Sequence, residues 1–79
     1  MDNKHQKEYK LIGLNIAYYR KLNGLTQMQL AERAGISRTH MSNIEAPNMP
    51  TSISMDTLLD IAEALDIPAA RLLSFRDAL

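Results

Sequence analysis

Apolar positions along the chain recur at three- and four-residue spacings, and period-two alternation is weak throughout, so the pattern predicts helices and not strands. A first helix is expected from about Tyr9 to Asn23, closed by Gly24 where a left-handed backbone is tolerated. Thr26 followed three residues later by Gln29 is a capping-box pattern, which starts a second helix at Gln27. Its apolar stripe is Leu30, Ala31 and Ala34, and Gly35 ends it. Ser37 is a suitable N-cap for a third helix with Met41 and Ile44 on its inward face. The stretch "APNMPTSIS", Ala46 to Ser54, carries two prolines and no long helical repeat, so it reads as a loop. A fourth helix is expected from about Met55 to Leu65, with Leu58, Ile61, Ala62 and Leu65 inward, and Pro68 opens a short fifth segment through Leu72 and Leu73. The expected fold class is all-α, a compact bundle of about five helices, with a polar tail at 1–8 and one domain at 9–79.

The glycine at 35 interrupts what would otherwise be one long helix. Two short helices joined there make a helix-turn-helix over about 27–46, with small Ala31 allowing a close crossing. With Met41 and Ile44 turned inward, Thr39, Ser42 and Asn43 point outward, flanked by Arg38 and His40. Short hydrogen-bonding groups beside an arginine are chemistry suited to reading base edges.

Composition both supports and tempers this reading. Hydrophobic residues make up 46% of 79 residues, enough for one modest core and too few for a deep catalytic cleft. Formal net charge is zero, which counts against indiscriminate polyanion binding. With no cysteine there is no disulfide or zinc–thiolate chemistry. The polar start "MDNKHQKEYK" lacks the apolar stretch of a signal peptide, and no run is long enough to span a membrane, so a cytoplasmic protein is expected.

The segment "IGLNIAYYRKLNGLTQMQLAERAGISRTHMSNIE" resembles, without a gap, the first three helices of the XRE-like helix-turn-helix family, the phage-repressor and Cro type. "MDTLLDIAEALDI" resembles its fourth helix, and the likeness runs from about Leu11 to Leu73. The resemblance implies a lambda-repressor-like DNA-binding domain acting on double-stranded DNA without catalysis or cofactor. It places Arg38, Thr39 and Asn43 at positions that reach bases, and Gln27, Ser37, His40, Ser42 and Asn48 at backbone or flanking contacts. It also sets Arg20 opposite Glu45 as an internal ion pair. Two departures weaken the expected grip on phosphate. Pro47 stands where the family usually has glycine, in a loop about two residues longer with no basic residue over Ala46–Ser54. Ala17 stands where a phosphate-binding Arg or Lys is common.

Other chemistry is thin. His40 and His5 make no convincing metal pair, and neither has a nucleophile to serve, so no catalytic or metal residue is assigned. Asp56, Asp60 and Glu63 read as a solvated outer face of helix four, turned away from DNA. Helix one holds a less expected signal. Beside the core stripe of Ile12, Ile16 and Tyr19 runs a second one, Leu11, Leu14, Tyr18 and Leu22. The C-terminal segment with Leu72, Leu73, Phe75 and Leu79 folds over it, or it is a partner surface, or both hold with the fifth segment forming part of a dimer contact; Leu14, Tyr18, Leu22 and Phe75 are the expected homodimer contact. A regulator that binds a palindromic operator as a dimer is the leading expectation. The alternative is a protein-interaction module, an antitoxin-like partner or adaptor that binds DNA weakly.

Overall fold

The computed structural model describes residues 4–49 and 51–74, and these form four α-helices and one 3-10 helix with no strand among them. The helices are α1 (Gln6–Leu22), α2 (Gln27–Ala34), α3 (Arg38–Glu45) and α4 (Met55–Leu65), followed by the 3-10 helix η1 (Ala69–Leu73). The fifth segment is therefore a tighter, five-residue turn, as suits a short piece following a proline. The first helix begins at Gln6, three residues before the expected start. Residues 6–8 are polar and exposed, so they carry no apolar period, yet Glu8 suits the positive end of the helix dipole. Phe75 and Leu79 lie outside the described residues.

Local sequence sets each helix end. Thr26 accepts from the Gln29 N–H while the Gln29 side chain accepts from the Thr26 N–H, at 3.1 and 2.9 Å, a complete capping box. Ser37 caps α3 by accepting from the His40 N–H at 3.0 Å, and Ser54 caps α4 by accepting from the Thr57 N–H at 3.1 Å. Three helices close on a left-handed residue: Gly24 after α1, Gly35 after α2 and Asp66 after α4. In each case the next N–H reaches back five residues, from Leu25 to Arg20, Ile36 to Ala31 and Ile67 to Ala62. Helix α3 stops differently. Pro47 forces the residue before it out of helical conformation, and Ala46 sits at φ −70°, ψ 119°.

The core is continuous through all five elements. Ile16, Leu30, Met41, Ile61 and Leu72 are completely enclosed, with Ile12, Leu58, Ala62 and Leu65 packed around them. Helix α2 lies against both α3 and α4, and α1 packs on α3 and η1. At the α1–α3 crossing Gly13 is buried, and a Cβ there would fall on the carbonyl oxygen of Ile44. The mid-helix glycine, unfavourable by about 1 kcal/mol relative to alanine, is therefore what permits the two backbones to meet. Asn15 staples the C-terminal turn to α1 by donating both amide hydrogens, to Leu72 O at 3.0 Å and Ser74 O at 3.1 Å. No helix among the described residues is long and apolar enough to cross a membrane.

Candidate nucleic-acid interface

Helix α3 has two opposite sides, and the fold uses them differently. Met41, Ile44 and Glu45 are buried, whereas Arg38, Thr39 and Ser42 are exposed and His40 and Asn43 half-buried. The left-handed Gly35 and the Ser37 cap turn the chain sharply between α2 and α3, which lets the two helices pack against each other. Thr26 at the α2 N-cap, Gln27 and Met28 from α2, Arg38 from α3 and Arg20 from α1 line an open groove of about 530 Å³. Arg38 is exposed in this lining. Asn43 keeps α3 in place from its far end, because its carbonyl accepts from the Thr51 hydroxyl at 3.2 Å.

Under this surface lies a charged network. Arg20 donates from Nε to Glu45 Oε2 at 2.8 Å, from Nη2 to Glu45 Oε1 at 2.9 Å and from Nη1 to Leu25 O at 2.8 Å. The two side chains retain only 11% and 5% exposure, so the fork joins α1, the α1–α2 turn and α3 away from water. Gln27 completes it by donating from Nε2 to Glu45 Oε1 at 3.0 Å. A carboxylate can only accept, so it fixes the amide with nitrogen toward Glu45, while the second N–H hydrogen stays available.

The expected site residues are therefore split between positions. Arg38, Thr39, Ser42 and Asn43 share the outward side of α3, with Ser37 at its cap and His40 on its flank. Gln27 faces the same groove as Arg38 but is also engaged inward. Asn48 is exposed in the turn Ala46–Met49, closed by the Met49 N–H bonding to Ala46 O at 3.2 Å. On the second stripe of α1, Leu14, Tyr18 and Leu22 are exposed while Leu11 is buried. Leu72 enters the core and Leu73 stays exposed, and the described part of the C-terminal segment leaves Leu14, Tyr18 and Leu22 open. The roles of Met28 and Gly13 have no sequence signal of their own, whereas the polar Asn15 between Leu14 and Ile16 does. No group of His, Asp and Glu among the described residues could hold a metal ion.

Comparison with known proteins agrees with this geometry. The Helix-turn-helix family model matches residues 16–72. The chain is 36% identical over 67 residues to the HTH-type transcriptional regulator SinR of Bacillus licheniformis, covering 85% of this chain and 60% of that protein. It is 32% identical over 65 residues to the control protein C.SmaI of Serratia marcescens, covering 82% of this chain and 75% of the relative. Among solved structures, SinR, the master regulator for biofilm formation, in complex with DNA superposes with a TM-score of 0.74 at 36% identity, over 80% of this chain and 98% of that one.

Proposed function

The chain belongs to the XRE-like helix-turn-helix family, and on that footing we propose that it is a sequence-specific DNA-binding regulator of transcription. It binds a palindromic operator as a dimer in the cytoplasm, acts without catalysis, and lays α3 in the major groove. The observation that carries this reading is the division of α3. One side is locked into the core by Met41, Ile44 and the Arg20–Glu45 pair, and the other presents Arg38, Thr39 and Asn43 outward.

In this role Arg38 donates to both acceptors of a guanine, Asn43 pairs with an adenine, and the Thr39 methyl touches a thymine. Gln27, through its second amide hydrogen, and the hydroxyls of Ser37 and Ser42 meet the backbone, with His40 and Asn48 at the margins. Support for DNA as the partner comes from the superposable SinR complex, and the exposed Leu14, Tyr18 and Leu22 support a dimer face on α1. Phe75, expected in the same contact, lies beyond the described residues. Zero net charge and a loop without Lys or Arg imply few released counterions, hence a shallow salt dependence for a protein of this class. Selection from random duplex DNA followed by sequencing tests the reading. Enrichment of one palindrome is expected, and a pool that stays random overturns it.

A further inference from the structure

Two exposed helix faces on this chain are complementary in both polarity and charge. On α1, Leu14, Tyr18 and Leu22 are 44%, 60% and 67% exposed. They follow one another at four-residue spacing and make a continuous apolar row. Lys10 continues that row toward the N-terminus, and Lys21 lies three residues beyond Tyr18 near the other end of the row; both are exposed. On α4, Met55 and Leu59 are 62% and 48% exposed, one turn apart. Asp56, Asp60 and Glu63 are exposed along one edge of that pair. No ion pair joins any of these lysines or carboxylates to another described residue. Burial inside one chain accounts for neither face.

We propose that these faces dock reciprocally between two copies of the chain: α1 of each copy, with its lysine edge, packs on α4 of the other, with its carboxylate edge, so that two equivalent contacts are related by a two-fold axis. A second copy is the occupant that the charges favour. Pairing α1 with a second α1 would bring the Lys10 and Lys21 edges together, and pairing α4 with α4 would bring together Asp56, Asp60 and Glu63. Only the crossed contact sets opposite charges side by side while covering all five apolar residues. The patches are small, so the contact is weak in free solution, and adjacent binding on one duplex raises the effective concentration that drives it. The proposal rests on the dimer reading above and supplies the face that α1 meets.

The crossed contact has a signature that a like-with-like contact lacks. Tyr18→Glu spoils the α1 face and leaves α4 intact, whereas Leu59→Glu does the reverse. Sedimentation of the full chain without DNA, from about 10 µM to about 1 mM, reads the association over the range of weak interfaces. The parent should associate with concentration and do so several-fold more weakly as salt rises from about 0.1 to about 0.5 M. Each variant alone should be monomeric, and an equimolar mixture should form a heterodimer through its one intact pair of faces. Circular dichroism melts of the exposed-site variants establish that they are folded. A mixture that stays monomeric overturns the crossed contact, and so does a Leu59→Glu chain that associates like the parent. Because no DNA is present, either result stands apart from the operator selection, which tests the regulatory reading on its own.

Discussion

The inner and outer sides of α3 belong to the same eight residues but answer to different constraints. The inner side is over-determined. Met41 and Ile44 fill the core, Ile44 O meets Gly13 across the α1 crossing, and Glu45 accepts three hydrogen bonds from Arg20 and Gln27. Every group there has a partner, and among the described residues no buried side-chain nitrogen or oxygen lacks one. Nothing in the fold depends on the outward ends of Arg38 and Thr39, which meet solvent. The difference teaches how a very short helix is held in place while one of its sides stays open. At eight residues it is far too short to be stable alone, so its orientation comes from its buried side. Substitutions inside should therefore change stability, and substitutions outside should change binding.

The strongest way to break the inner side is Glu45→Ala. It strands the Arg20 guanidinium in a nearly dry site with only Leu25 O as partner, and loses the support under Gln27. The expected loss is roughly 3–5 kcal/mol of folding stability, read by urea denaturation. A change within about half a kcal/mol, typical of surface sites, would mean that the pair does not hold α3.

Gly13→Ala attacks the same side through sterics alone. Alanine gains about 1 kcal/mol of helix propensity. Its Cβ, however, would land on backbone at Ile44, which cannot rotate aside as a flexible side chain would. A net loss of about 2 kcal/mol is expected from overpacking. Equal or higher stability in a thermal melt would show that α1 and α3 can separate without cost.

On the outer side, Arg38→Ala should leave the melt unchanged and cost roughly 1–3 kcal/mol of binding on the selected site, with selectivity relaxed at one base position. The check is a titration series over base-substituted duplexes. If every duplex weakens by the same factor, Arg38 anchors to the backbone and does not read a base.

The contrast was only half legible in the sequence. Outward Arg38, Thr39 and Asn43 and inward Met41 and Ile44 follow from the helical period once Ser37 and Gly35 fix where α3 begins, and those signals are local. Arg20 and Glu45 are 25 residues apart, and nothing in spacing joins them; only the family resemblance set them opposite each other. Gln27 was readable as a helix start but not as a partner of Glu45, because that bond exists only after α2 and α3 cross. Residues 6–8 give no helical signal, since exposed polar residues show no period. The covered and open parts of the α1 stripe could not be told apart either, since Leu11 is enclosed and Leu14 is not.

Gln27 is the residue that belongs to both sides, and Gln27→Ala sharpens the comparison with the smallest expected effect. Inside, it removes one donor from a carboxylate that keeps two hydrogen bonds from Arg20, so about 1 kcal/mol of stability should go. Outside, on the proposed reading, it removes an N–H that meets the DNA backbone, which carries no base identity, so all duplexes should weaken by a similar few-fold factor. The two losses separate in one design: a melt of the free protein reads the first, and titration of specific and scrambled duplexes at low temperature, where the variant is folded, reads the second. Gln27→Glu adds a control, since a second carboxylate beside Glu45 both loses the donor and repels phosphate, and should be worse than alanine in both measurements. If Gln27→Ala lowers stability but leaves every duplex bound as tightly as before, Gln27 serves only to hold Glu45, and the outer side begins at Ser37.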